Sequence, residues 1–193
     1  MLHSQTILQL HDTATSQWHR SLTLPTPVCP LDELVLSQHR ANFELWHEED
    51  KARNPLAQDS AIATVKHAID ALNQRRNDLV EQIDALLLDA AGHQNMDAPL
   101  HSETPGLMID RLSILELKRY HTAAEVDRQS ATEQHRAKNR ERFEVLTQQR
   151  DDLAGCLDSL WRDVLAGRRR FHLYRQLKMY NDPELNPVLY SRP

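Results

Sequence analysis

The segment from Asn42 to Arg53, NFELWHEEDKAR, carries the densest set of side chains that could do chemistry. Trp46 and Asp50 are spaced i, i+4 on a predicted helix, and so are Glu49 and Arg53. We predict Glu49 and Asp50 as catalytic residues, because a carboxylate can act as a general base or bind a metal ion. Trp46 and Arg53 are predicted to wall a ligand pocket. The alternative is an ion-paired helix end, since such a Glu to Arg pair stabilises a helix by about 0.3 to 0.5 kcal/mol.

Basic side chains also occupy positions where the apolar pattern of a helix calls for hydrophobic ones. Arg76 fills the missing position of a Leu and Ile series and is flanked by Asn73 and Asn77. Arg111 and Lys118 fall among Leu and Ile residues of another predicted helix. A buried charge is costly unless it meets an acid or an anionic ligand, and Arg binds carboxylate or phosphate with paired hydrogen bonds. All five residues are therefore predicted to bind an anion, and ion pairs with acids of neighbouring helices are the alternative.

Acidic pairs on two predicted helices indicate a second chemistry. The segment HEED, which ends at Asp50, and the pair Glu81 and Asp84 are similar to the acidic pairs of all-α pyrophosphohydrolases. Those enzymes use such pairs to hold magnesium, which neutralises and orients phosphates. Magnesium is therefore a candidate cofactor, although Glu81 lies opposite the apolar seam of its helix and is expected to be solvated.

Two other helical enzyme classes fit the pattern less well. A di-iron bundle needs two Glu-x-x-His motifs, and the chain has one, at Glu44 and His47. The segment IDALNQRRNDLVEQIDALLL resembles the first helix of chorismate mutase, which binds a dicarboxylate with Arg and Lys. Arg76, Arg111 and Lys118 would suit such an electrostatic pocket.

The elements that must position these residues are predicted to be helices, because long Pro-free intervals are rich in Leu, Ala, Glu, Gln and Arg and no strand pattern competes. Five helices are expected, at about 4–21, 31–53, 60–90, 105–128 and 131–167. The third and fifth are long and amphipathic, and Arg150 interrupts the seam of the fifth as Arg76 does that of the third. Long helices with short links predict an all-α antiparallel bundle of about five helices with a C-terminal arm.

Cap residues and breakers set the expected ends of these helices. Asp59 or Ser60 is predicted to cap the third helix, and Gly92 to end it. Thr104 or Ser102 should cap the fourth. A capping box, Ser130 to Glu133, should begin the fifth, and Gly167 should close it. We divide the chain into an N-terminal helix and Pro-rich linker at 1–30, a core at 31–167 and an arm at 168–193, with a further helical segment in the arm to Tyr180.

Composition indicates a folded protein, since apolar residues make up 40% of the 193 residues and charged residues 26%. The chain has no apolar run of about 18 residues and no secretion signal, and Cys29 and Cys156 suit a reducing compartment, so we expect a cytoplasmic protein without a membrane span. The net charge is -5, with the basic residues of the arm concentrated near GRRR. The favourable interaction of cations with the C-terminal end of a helix explains that cluster better than binding of nucleic acid does.

Four segments of the chain together carry a family resemblance. They are NFELWHEEDKAR, VKHAIDALNQRRNDLVEQID, APLHSETPGLMIDRLSILELKRYH and YRQLKMYNDPELNP, which lie in order between residues 42 and 187. The chain resembles family 4254 of the bacterial domains of unknown function. The resemblance implies an all-helical cytoplasmic protein with no established activity. It also implies a context of surface-polysaccharide biosynthesis, because genes of the family often lie beside glycosyltransferase genes.

The leading functional hypothesis is a mixed acid and base pocket that binds, or also transforms, an anionic metabolite such as a phosphorylated or nucleotide sugar. A rival hypothesis is a non-enzymatic accessory or scaffold subunit for a glycosyltransferase. Its contact arm would then offer aromatic and apolar anchors, namely Phe171, Tyr174, Met179, Tyr180 and Tyr190. A homo-oligomer is left open by both hypotheses.

Overall fold

The computed structural model describes residues 2–20, 25–175, 177 and 184–185. Its elements are five helices, α1 (Ser4–His19), α2 (Pro30–Ala52), α3 (Asp59–Ala91), α4 (Pro105–Asp127) and α5 (Glu133–Leu165). These described parts contain no strand, only an isolated bridge between Leu100 and Arg170. The all-α prediction is therefore confirmed. None of the five helices combines the length and hydrophobicity that crossing a membrane requires.

Two helical hairpins form the body of the protein. α2 packs against α3 and α4 packs against α5, while α1 lies against α2, α4 and one part of α5. The core between them is apolar and includes fully buried side chains from four helices, Val35, Ile83, Ile109, Leu112 and Leu157. Burial of this surface is the main force that holds the helices together. The first half of α3 contributes less, since Ile62 of the predicted seam is 38% exposed.

The ends of the helices follow local chemistry, with two corrections. The predicted cap of α3 was wrong, because Gln58 occupies the cap position without a side-chain hydrogen bond, and Asp59 is already the first residue of the helix. The Thr104 side chain accepts a hydrogen bond from the Leu107 backbone N–H and caps α4, as predicted. Gly92 ends α3 with a φ of 67°, a conformation that glycine adopts without steric cost. The predicted capping box of α5 was wrong, because Thr132 rather than Ser130 is the cap and accepts from the His135 N–H.

Arg150, the basic residue on the seam of α5, is held by acids rather than by a ligand. Its Nη1 lies 3.4 Å from Oε2 of Glu116 and 3.6 Å from Oδ1 of Asp12. Arg119 joins the same cluster, with its Nη1 2.7 Å from Oε2 of Glu116. Burial raises the pKa of Glu116 above its usual range, and Asp12 adds to that effect while Arg119 opposes it. For Arg150 the internal ion-pair explanation is therefore the right one.

The chain after α5 returns to the bundle. Phe171 is fully buried, its N–H donates to Oε1 of Gln94 at 3.0 Å, and its carbonyl accepts from Nε2 of the same side chain at 3.1 Å. The predicted helix in the arm is wrong for residues 171–175, which are extended or irregular, and its remaining residues are outside the described ranges except Leu177. Phe171 packs inside the bundle, so it is not available as an anchor for a partner. Tyr174 is partly exposed, and Met179, Tyr180 and Tyr190 are outside the described residues.

Candidate functional site

A cleft of about 290 Å³ opens between α2, α3 and α4. We call it the Arg76 cleft, and its lining is Asn42, Leu45, Trp46, Glu49, Arg53, Asn73, Arg76, Ile114 and Leu117. The structure thus brings together five residues that the sequence predicted for the site, namely Trp46, Glu49, Arg53, Asn73 and Arg76. The helical period explains the contribution of α2, because positions 42, 45, 46, 49 and 53 recur every three or four residues and so share one face.

Arg76 lies at the base of this cleft beside a buried carboxylate. Its Nε is 3.9 Å from Oδ1 of Asp110, which is an ion-pair distance and too long for a hydrogen bond. That oxygen already accepts from Nε2 of Gln38 at 2.5 Å and from Nδ2 of Asn42 at 2.9 Å. Among the described residues, the buried Nε of Arg76 has no hydrogen-bond partner, and Nη2 reaches only Oδ1 of Asn77 at 3.5 Å.

The surroundings of Asp110 favour its neutral form more than water does. Its side chain is 13% exposed, and this burial raises the pKa of its carboxyl. The charge of Arg76 and the two amide donors act in the opposite direction. The 3.9 Å separation of Arg76 from Asp110, without a hydrogen bond, leaves the guanidinium with donor capacity that an anion in the cleft can use.

A second, smaller cavity of about 150 Å³ lies on the other side of Arg76. It is bordered by polar groups that include Asn77, Asp84 and Asp110, and by Thr104 and Tyr174. Asp84 is a structural member of this set, because it accepts hydrogen bonds from the Thr104 hydroxyl at 2.5 Å and from the Gly106 N–H at 2.6 Å. Burial raises the pKa of Asp84 to about 6, although both hydrogen bonds lower it. Asp84 thus anchors the start of α4 to α3.

Of the two predicted catalytic residues, Glu49 and Asp50, one borders the Arg76 cleft and the other does not. Glu49 borders the cleft, and its Oε2 is 3.1 Å from Nη2 of Arg53. Asp50 does not border the cleft, is 58% exposed, and lies 3.7 Å from Nη1 of Arg53. The helix-end explanation therefore describes the local ion pairs, while Glu49 and Arg53 also form part of the cleft wall. The catalytic roles of Glu49 and Asp50 stay predictions.

Arg111 and Lys118 were predicted to bind the ligand together with Arg76, but neither residue borders the Arg76 cleft. They border a separate groove of about 740 Å³ between α4 and α5, where Arg111 pairs with Glu103 at 2.6 Å. The reason is the orientation of α4. Its residues 110, 113, 114 and 117 face α2 and α3, and residues 111, 115 and 118 lie on the adjacent face toward α5. Only Ile114 borders both cavities among the described residues.

Sequence reasoning missed a buried polar network behind the cleft. His39 is at its centre, with Nε2 2.8 Å from the Thr15 hydroxyl and Nδ1 2.7 Å from the Ser113 hydroxyl. Ser113 also accepts from Nδ2 of Asn42 at 2.9 Å, so the network reaches the lining of the cleft. Burial lowers the pKa of His39 to about 3, and the imidazole is neutral at physiological pH. Polar residues at core positions of α2 were the signal for this network.

Three further histidines that sequence reasoning left aside meet beside the network. They are His19 from α1, His47 from α2 and His121 from α4, with ring centroids 5.1 to 6.1 Å apart. Trp46 stacks on His121, with a centroid separation of 4.5 Å and an interplanar angle of 1°. We call His19, His47 and His121 the histidine cluster. The helical spacing of Phe43, Trp46 and His47 marks one face of α2, but it does not indicate that His19 and His121 lie against that face.

Within the part of the chain that the structure describes, no three His, Cys, Asp or Glu side chains are arranged to hold a metal ion. Binding of magnesium by the cleft therefore stays a hypothesis.

Asn77, which the sequence predicted to bind the ligand, borders the smaller cavity beyond Arg76.

Comparison with known proteins gives a single positive result. A family model described as "Protein of unknown function (DUF4254)" matches residues 32–173, which include α3 to α5, all of α2 but its first two residues, and every residue of the cleft. No curated protein matches the chain, and no solved structure matches it.

Proposed function

The chain belongs to the DUF4254 family of unknown function, and we propose that its Arg76 cleft binds a small anionic metabolite. A phosphorylated sugar is the class we favour. The family resemblance supports that choice through its polysaccharide context, and the cleft volume of about 290 Å³ suits a sugar phosphate better than a whole nucleotide sugar. Ligand pockets for larger molecules extend to roughly 1,000 Å³.

One observation carries the proposal, namely the unused hydrogen-bonding capacity of Arg76. A guanidinium has five N–H donors, and here its buried Nε has no acceptor among the described residues. The Arg76 side chain as a whole is 27% exposed, so a ligand in the cleft can reach the guanidinium although Nε is buried. A buried donor without a partner costs free energy, which an anionic oxygen would recover on binding. Arg is also the residue best suited to paired hydrogen bonds with phosphate or carboxylate.

The remaining walls suit a ligand that is part polar and part apolar. Trp46, Leu45, Ile114 and Leu117 provide carbon surface, which can pack against the C–H groups of a sugar. Asn73 provides an amide on the same wall as Arg76. Such a mixture of apolar surface and a few polar groups is typical of ligand sites.

Glu49 is the carboxylate that we expect to meet the ligand. It borders the cleft and is held by Arg53, so it can accept a hydrogen bond from a ligand hydroxyl. A chemical role for Glu49 as a general base requires a reacting group within hydrogen-bond distance. We therefore propose binding as the function, with catalysis by Glu49 as the extension to be tested by turnover of the ligands that bind.

A thermal-shift screen tests this proposal. The ligands are sulfate, inorganic phosphate, hexose phosphates, nucleotides and dicarboxylates, each with and without magnesium. A ligand at a hundred times its Kd should stabilise the fold by about 2.7 kcal/mol. Arg76→Gln should abolish the shift, whereas Arg75→Gln should retain it, because Arg75 is the adjacent residue and lies outside the cleft. Equal shifts in both variants would contradict the proposal.

A further inference from the structure

We infer that anion binding in the Arg76 cleft is coupled to protonation of the histidine cluster behind Trp46. The inference rests on the proposed function, since it concerns how that same cleft is regulated. Protonation of one ring in the cluster would strengthen anion binding, and anion binding would in turn favour protonation.

The geometry of the cluster permits a shared positive charge. The centroids of His19 and His47 are 5.4 Å apart, those of His19 and His121 are 5.1 Å apart, and those of His47 and His121 are 6.1 Å apart. Three imidazoles from three helices thus lie in mutual contact. At such distances a charge on one ring repels a second charge strongly, so the cluster binds its first proton much more readily than its next.

Basic nitrogen atoms are available in this cluster. Nδ1 of His19 is 2.9 Å from the carbonyl oxygen of Thr15, which can only accept, so Nδ1 carries the hydrogen and Nε2 carries the lone pair. This Nε2 is buried and has no partner among the described residues, and the same is true of Nε2 of His121. Each is a polar atom whose hydrogen-bonding capacity is unused in the structure.

The charged groups around the cluster are few and come mainly from α2. Burial lowers the pKa of both His47 and His121, and the neighbouring His19 lowers it further. Asp50 acts in the opposite direction on both rings, whereas Arg40 and Lys51 oppose protonation of His47. From α4, Tyr120 adds a ring stacked on His19, with centroids 4.3 Å apart.

Trp46 connects the cluster to the cleft. It borders the cleft and stacks on His121, which does not border the cleft itself, so a proton on His121 places positive charge one ring behind the wall. An anion about 8 Å from that charge, at an effective dielectric constant of about 30, binds on the order of tenfold more tightly. A protonated ring also attracts Asp50, which weakens the 3.7 Å contact of Asp50 with Arg53 and leaves Arg53 freer to meet the ligand.

Isothermal titration calorimetry with sulfate tests the coupling, because sulfate keeps its charge across the range from about pH 5.5 to about pH 7.5. Experiments at each pH in two buffers with different heats of ionisation report the protons taken up. The expected results are a Kd at least about tenfold lower at the acidic end, since sulfate carries two negative charges, and net proton uptake on binding. His121→Phe keeps a ring against Trp46 and should reduce the pH dependence and the uptake. His93→Gln, at an exposed loop position, should leave both unchanged.

The possible outcomes separate the inference from the proposed function. Sulfate binding that depends on Arg76 but has the same Kd at every pH and no proton uptake would overturn the inference and leave the proposed function standing. A His121→Phe protein with wild-type pH dependence and uptake would also overturn it. Failure of sulfate and of every metabolite in the screen to bind would overturn both.

Discussion

The Nε atom of Arg76 lies 3.9 Å from Oδ1 of Asp110, close enough for attraction and too far for a hydrogen bond. The oxygen is occupied instead by the side-chain amides of Gln38 and Asn42. A guanidinium fixed beside a carboxylate that it does not fully bind is suited to a second anion. This relationship distinguishes Arg76 from Arg150, whose guanidinium lies nearer to two carboxylates.

Replacement of Asp110 by Asn should strengthen anion binding. The substitution removes the negative charge that competes with a ligand for Arg76 and keeps an oxygen that can accept from Gln38 and Asn42. Removal of a like charge close to the anion should lower its Kd by roughly tenfold. Titration calorimetry with sulfate measures the change. Weaker binding by Asp110→Asn would mean that Asp110 holds Arg76 in place rather than competing with the ligand.

Replacement of Gly106 by Ala should destabilise the fold. A Cβ at this position would lie 2.7 Å from Oδ1 of Asp84 and 2.8 Å from the carbonyl oxygen of Val80, so α4 would have to move away from α3. We expect a loss of about 1 to 3 kcal/mol in urea unfolding. Gly155→Ala is the matched control within a helix, because nothing lies within 4 Å of its added Cβ. It should stabilise the protein by about 0.5 to 1 kcal/mol.

Replacement of His11 by Phe should stabilise the protein most at acidic pH. Burial, with a smaller effect from His39, lowers the pKa of His11 well below its ordinary value, and both ring nitrogens lack partners among the described residues. The unfolded state then binds a proton below about pH 6.5 that the folded state excludes, so this histidine reduces stability as the pH falls.

The His11→Phe variant should therefore gain stability relative to the wild type as the pH falls. The difference between their free energies of unfolding should grow by up to about 1.4 kcal/mol for each pH unit below about 6.5. Urea unfolding from about pH 7.5 to about pH 5 measures this difference. His93→Gln, an exposed control, should track the wild type. A constant difference for His11→Phe across that range would show that His11 binds a proton in the folded protein as readily as in the unfolded chain.

Replacement of Arg150 by Met should be strongly destabilising unless its acid partner is also changed. The variant leaves Glu116 buried beside Asp12 with Arg119 as the remaining cation of the cluster. Loss of one partner from a buried pair costs about 3 kcal/mol or more, and the double variant with Glu116→Gln should recover much of that loss.

Arg140→Met on the same helix provides the matched comparison for Arg150→Met. Arg140 pairs with Glu133 at the surface, so its loss should change the free energy of unfolding by less than about 1 kcal/mol. Equal effects of the two substitutions would indicate that the cluster around Glu116 is open to water.

The sequence predicted the helices and part of the cleft because both depend on local patterns. Proline, glycine and cap residues fix where helices begin and end, as at Thr104 and Gly92. The helical period places Trp46, Glu49 and Arg53 on one face of α2. Arg76 was recognised because it interrupts an apolar seam, a signal that one helix carries by itself.

The features that the sequence did not predict depend on which helices pack against each other. Period alone puts Arg111 and Lys118 among apolar residues of α4, but it does not say that this face meets α5 rather than α2. The position of Asp110 beside Arg76 likewise depends on how α4 packs against α3. The histidine cluster combines one residue from each of three helices, so no spacing within the sequence announces it.

The side-chain Nε resonance of Arg76 gives the most direct measurement of the central claim. In ¹⁵N-labelled protein, this signal is identified by its loss in Arg76→Gln and followed as sulfate or a hexose phosphate is added. Binding through Arg76 predicts a saturable shift of the Arg76 signal, while the signal of Arg75, next to it and outside the cleft, stays in place. An Arg76 signal that does not move while the ligand demonstrably binds would contradict the claim that this guanidinium holds the anion.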